Sequence, residues 1–188
     1  LKKLIHDTVD TTTTDFSDLR MLRGMNKAQT KIVNLIMQND TLSQWDDRNW
    51  QDLPEGFLNI TSGQIDCNLS EDENFADILS IVKVYIKTTA SGIGYEELPK
   101  AGKNYTDPTQ TGIPSSYRIS GRSLMFDVVP NYTSTNGLRV QFIRMPQEIS
   151  VSDTTKEVGI PSNFHHLLAL MTAYDYARAK RMDNRNDI

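Results

Sequence analysis

The chain has 188 residues, a formal charge of −4, and a composition that is 38% hydrophobic and 23% charged. That length fits one domain, or one domain with a small elaborated part. No run of about 18 apolar residues marks a membrane-spanning helix, and the mildly acidic balance gives no reason to propose bulk nucleic-acid binding.

Residues 1–5 resemble the tail end of a helix and are too short and polar for a signal peptide. A threonine-rich stretch at 8–14 follows, and β-branched polar residues favour extended, solvated chain. Asp15 or Ser17 is placed to cap a helix running to about Gln38. Along it Leu19, Leu22, Met25, Ala28, Ile32, Leu35 and Ile36 recur at three- and four-residue steps, one apolar stripe. Arg20, Arg23, Lys27, Lys31 and Gln38 take the other side. Gly24 inside this helix costs about 1 kcal/mol relative to alanine; either a close helix contact offsets it or the position is exposed.

From Asn39 the character changes. Residues 41–54 are polar with two tryptophans, Trp45 and Trp50. Short runs rich in β-formers then appear at 57–61, 64–69, 78–88, 117–119, 123–129 and 138–144, several bounded by Gly, Pro and Asn turn signals. Ile119-Ser120-Gly121-Arg122-Ser123 reads as a tight hairpin. Leu138, Val140 and Phe142 alternate with Arg139, Gln141 and Ile143, the pattern of a half-buried antiparallel strand. Residues 91–114 form a long connection with little periodicity, and such connections are usually functional or disordered. Cys67 is the single cysteine; it cannot close an internal disulfide, and within its strand-like run it reads as a buried, inert thiol made in a reducing compartment.

The last helix opens at Ile160-Pro161-Ser162-Asn163-Phe164-His165-His166. Phe164, Leu167, Leu168 and Met171 mark one face, with Tyr174 near its edge, and Leu170, Ala173 and Ala177 mark another. A helix apolar around most of its girth is buried against more than one neighbour, which points to an assembly component. Beyond it Arg178, Lys180, Arg181 and Arg185 alternate with Asp175, Asp183 and Asp187, and the mixed-charge end at Ile188 either is solvated or docks in a partner's groove. The predicted fold class is α+β. Helices from both ends of the chain (1–40 and 160–188) pack together, and a small antiparallel β-sandwich lobe (41–159) lies between them in sequence.

Chemistry is sparse. His165 and His166 are adjacent, so they point about 100° apart and cannot chelate one metal as an i, i+4 pair would; they suit a polar first turn. No nucleophile elbow surrounds any serine or cysteine. The acidic clusters Asp46-Asp47 and Glu71-Asp72-Glu73 fall in polar turns without EF-hand ligand spacing. Gly92-Ile93-Gly94 lacks the helical context of a phosphate loop. Asn-x-Ser/Thr triplets begin at Asn39, Asn59, Asn68, Asn104 and Asn131; in so Asn- and Thr-rich a chain, chance accounts for them. Trp45 and Trp50 form either a carbohydrate platform or ordinary packing. Neither an enzymatic activity nor a cofactor or metal is expected.

Taken in order, the motifs resemble a known family. Phe16-Ser17-Asp18 followed by Met25-Asn26-Lys27-Ala28 looks like the first helix of the head-to-tail connector (adaptor) proteins of tailed bacteriophages. Tyr117-Arg118-Ile119-Ser120-Gly121 with residues 124–130 resembles their hairpin, residues 138–146 their next strand, and Ile160-Pro161-Ser162-Asn163-Phe164-His165 the start of their final helix. The resemblance implies a structural virion protein in the neck, made in the host cytoplasm, forming a ring, commonly twelvefold, beneath the portal. The implied partners are further copies of itself, the portal protein and the next neck or tail protein. DNA would be met only in transit through the lumen, and no membrane is involved. It also implies that the helices and carboxyl-terminal segment engage the portal. With the apolar girth of the last helix, this makes Leu167, Leu168, Met171, Tyr174, Arg178, Arg181, Arg185 and Ile188 the candidate residues for contact with a neighbouring subunit or the portal. The competing reading is a β-sandwich module that recognises carbohydrate or a receptor through Trp45, Trp50 or residues 91–114.

Overall fold

The structure is a computed structural model and describes residues 5, 17–39, 48–71, 75–102, 109–153 and 156–183. Contacts divide the chain into two compact units, Leu1–Gln51 with Met145–Ile188, and Asp52–Arg144. The architecture is α+β, with the helices drawn from the two ends of the sequence. The threonine-rich stretch lies outside the described residues, and Ile5 before it is helical and fully buried.

In the first unit, helix α1 spans Asp18–Asn39. Ser17 lies just outside it and its carbonyl accepts the Met21 N–H at 3.0 Å. The buried arc is Met21, Leu22, Met25, Ala28, Gln29, Ile32 and Val33. The expected stripe is therefore corrected at its ends: Leu19 and Leu35 are about half exposed and Ile36 only half-buried. The covered arc is narrower than the apolar one, and it includes a polar residue, Gln29, that stands four residues after Met25 on the same face.

That residue, Gln29, ties down the segment before the last helix. Its Nε2 donates to the Gln147 carbonyl at 3.3 Å and its Oε1 accepts the Gly159 N–H at 3.1 Å. Asn26 binds both backbone groups of one residue, donating to the Ile149 carbonyl at 2.9 Å and accepting the Ile149 N–H at 3.1 Å. Asn49 pairs with the Glu157 peptide in the same two-bond manner, 2.9 Å each way. Three carboxamides thus supply partners to backbone groups of Gln147, Ile149, Glu157 and Gly159, none of which lies in a strand or helix.

Helix α2, His165–Asp183, follows a 3₁₀ turn at Ser162–Phe164. Pro161 holds φ −53° at its entry, and the Phe164 N–H bonds the Pro161 carbonyl at 2.9 Å. No side chain caps this turn; instead a ring nitrogen of His165 lies 2.9 Å from the Ile160 carbonyl oxygen.

The second unit is built from β1 (Glu55–Ile60), β2 (Asp66–Asn68), β3 (Ile78–Ile86), β4 (Glu96–Leu98), β5 (Thr111–Gly112), β6 (Tyr117–Ser120), β7 (Ser123–Phe126), β8 (Val129–Pro130) and β9 (Ser134–Arg144). One sheet has the order β1-β9-β3-β4 and a second the order β2-β7-β6, both antiparallel, while β5 and β8 pair in parallel. Leu58, Ile60, Val84, Ile86, Leu98, Leu138, Val140 and Phe142 from the first sheet share one core with Cys67, Tyr117, Leu124 and Phe126 from the second. The predicted hairpin is present: Ser120 pairs Ser123, and Gly121 takes φ +60°, where a side chain would be strained.

Strand β9 alternates as expected from Leu138 to Phe142, but Ile143 and Arg144 are also buried. Register shifts in the β3 pairing, between Ile78 and Ser80 and between Ile81 and Lys83, accompany this break in the two-residue repeat. The buried Arg144 guanidinium donates to the Asp52 carbonyl. Of the long 91–114 connection, β4 and β5 are strands and residues 103–108 lie outside the described residues.

Candidate subunit-contact surface

Helix α2 presents two opposed faces. At about 100° per residue, Leu168, Ala169, Thr172 and Ala173 fall on one side, and all four are buried. Leu167, Leu170 and Tyr174 follow the i, i+3, i+7 spacing on the other, and they are 40%, 43% and 67% exposed. Met171 is half-buried between them, and Ala177 and Arg178 are exposed.

The covered face packs on α1. A Cβ at Gly24 would stand 3.0 Å from the Thr172 Cγ2, so the helices approach closely where glycine and small side chains permit it. The Thr172 hydroxyl donates to the Leu168 carbonyl at 2.8 Å, which satisfies it inside its own helix. At the rim Asp175 receives Lys27 at 3.3 Å and Lys31 at 3.4 Å. Partial burial opposes ionisation of Asp175, but the hydrogen bonds and charges of the two lysines outweigh it and hold the carboxyl below its ordinary range.

The open face is different in kind. A single exposed leucine needs no explanation; here two leucines and a tyrosine are exposed along one arc of a helix. Burying a leucine from full exposure gains about 1.5–3 kcal/mol, so covering what remains open on Leu167 and Leu170 gains roughly half of that each.

The sequence-predicted residues divide accordingly. Leu167 and Tyr174 lie on the open stripe and Met171 borders it. Leu168 is fully covered within its own chain, so it offers no surface to another. Arg178 is exposed near the helix end, Arg181 lies in the last helical turn, and Arg185 and Ile188 lie outside the described residues. Leu170 belongs with Leu167 and Tyr174; the i, i+3, i+7 spacing was visible, but apolar residues on both sides of the helix concealed which arc faces solvent.

Other sequence features find structural uses. The Trp50 indole is half-buried and donates to the Met145 carbonyl at 3.3 Å, an anchoring contact rather than an exposed platform. Trp45 lies outside the described residues. Cys67 is buried, its thiol 3.4 Å from the Asn59 carbonyl oxygen. The Asn59 amide oxygen accepts the Asn136 N–H, and that of Asn68 accepts the Ser70 N–H, both at 2.9 Å. Among the described residues no group of three or more His, Cys, Asp or Glu side chains is placed to hold a metal ion. No described helix is long and apolar enough to cross a membrane.

The chain is thus an α+β protein whose helix α2 buries one face and leaves Leu167, Leu170 and Tyr174 exposed on the other. Over residues 2–187 the sequence matches the SU10 adaptor protein family, and the chain belongs to that family of bacteriophage head-to-tail adaptors. No curated protein matches it.

Proposed function

We propose that the chain is one subunit of a ring, commonly twelvefold in proteins of this kind, that joins the capsid portal to the tail and leaves a lumen for the genome. The stripe of Leu167, Leu170 and Tyr174 carries this reading. A neighbouring copy or the portal covers it, with Arg178, Arg181, Arg185 and Ile188 extending the contact along the carboxyl-terminal segment. Large obligate interfaces are more apolar than ordinary surface, as this stripe is. A subunit with net charge −4 is compatible with a lumen that lets DNA slide rather than bind. The family assignment supports a structural rather than a catalytic role.

The experiment is native mass spectrometry of the purified chain with and without its portal. A closed multi-copy ring on the portal is the expected species. A chain that stays monomeric and unbound in the portal's presence contradicts the proposal.

A further inference from the structure

The solvent face of the four-stranded sheet holds a second surface. Register places Phe57, Arg139, Tyr85 and Glu97 in one row across β1, β9, β3 and β4. The Arg139 guanidinium carbon lies 4.5 Å from the Tyr85 ring centroid and 5.3 Å from that of Tyr95. Lys87 Nζ is 5.2 Å from the Tyr95 centroid, and the Phe57 and Tyr95 rings are 6.4 Å apart. Tyr95 is held in place by its hydroxyl, which donates to the Asn136 carbonyl at 2.7 Å.

The charges on this face are unevenly matched. Lys83 pairs with Glu97 at 3.0 Å. Among the described residues no carboxylate pairs with Arg139 or Lys87, and Arg139 Nε is buried without a hydrogen-bond partner. Among the described residues Lys87 donates to the Thr135 carbonyl, at 3.3 Å. A guanidinium already stacked on two rings is ordered before any partner arrives, and its planar fork suits a carboxylate. An extended polyanion would meet Glu55 and Glu97 in the flanking positions; a single carboxylate between the two cations would not.

We infer that this face seats a carboxylate-bearing segment of a second copy of the chain, with Phe57 as the adjoining apolar contact. The inference rests on the ring proposed above. Successive ring members meet through two different surfaces. Each copy carries 24 acidic against 20 basic side chains, so it brings carboxylates in excess.

Zero-length carbodiimide coupling tests it, because the reagent joins a lysine amine directly to a carboxylate it already touches. Particles assembled from heavy-isotope-labelled and unlabelled chain are coupled and digested. The expected product is the Lys87 peptide joined to an Asp or Glu peptide of opposite label. Arg139→Gln lowers its yield about tenfold while the melting curve of the free chain shows the fold retained. A Lys87 that stays uncoupled, couples only within its own chain, or couples to a different polypeptide overturns the inference. If the particles hold many copies and Lys87 fails this test, the sheet-face contact alone is wrong; if they hold a single copy, the ring itself is wrong.

Discussion

Gly24 on α1 and Thr172 on α2 meet so closely that a methyl group on the first would lie 3.0 Å from the Cγ2 of the second. The contact explains why a helix tolerates glycine at an interior position that costs about 1 kcal/mol relative to alanine. Gly24→Leu forces the helices apart and lowers stability by about 1–3 kcal/mol. Gly24→Ala is near neutral, because the propensity gain is offset by the close contact. Combined with Thr172→Ser, which removes the Cγ2, Gly24→Ala becomes stabilising by about 1 kcal/mol relative to Thr172→Ser alone. Denaturant unfolding of the four variants and the parent chain measures each term.

Asn26 holds both the backbone N–H and the backbone C=O of Ile149. Asn26→Ala leaves that N–H and C=O without these partners at a cost of about 1–3 kcal/mol. The loss is local in its first effect: residues 147–159 exchange amide hydrogens faster and are cleaved sooner by protease, while the β unit is unchanged. Asn49→Ala releases the Glu157 end in the same way. Unchanged exchange across 147–159 in both variants contradicts the strapping role.

Asp175 carries the pH dependence of the α1–α2 contact. Its pKa in the folded chain is depressed, so the stabilisation is present above the ordinary carboxylate range and is lost as pH falls through the lowered value. Parent and Asp175→Asn chains should therefore differ at neutral pH, the parent melting higher; the gap starts to shrink below about pH 4 and closes only below the lowered value. The difference is under about 1 kcal/mol, because both lysines are well exposed. Melting curves across that range check the sign.

Gly56 faces the Phe75 ring, and a Cβ there would stand 2.4 Å from Cζ. Phe75 is buried and its ring centroid is 5.5 Å from that of Phe142. Gly56→Ala displaces a core aromatic and destabilises by about 1–3 kcal/mol. Phe75→Leu in the same chain recovers part of the loss, and calorimetry of the single and double variants reads it.

Much of the fold was legible in local pattern. The α1 periodicity and the Leu138–Phe142 alternation each express a repeat that secondary structure imposes, and the Ser120-Gly121 turn expresses a backbone angle that glycine allows. The order β1-β9-β3-β4 was not legible, since β9 enters between strands far from it in sequence. Asn26, Gln29 and Asn49 were also hidden: a carboxamide that binds a distant peptide has the same composition as one that faces water. On α2 the helix itself was clear, but Leu168 and Leu170 are chemically alike and only packing separates the covered arc from the open one. Thus Leu168→Asp tests folding, and Leu170→Asp with Tyr174→Asp tests assembly.

Hydroxyl-radical footprinting of Leu170 and Tyr174, in the free chain and in assembled particles, addresses the central claim. Both side chains are open in the isolated subunit, at 43% and 67% exposure. Strong labelling in the free chain and protection in particles is the predicted result. Equal labelling in both states would mean that the stripe is never covered, and the account of α2 as an assembly surface would fail.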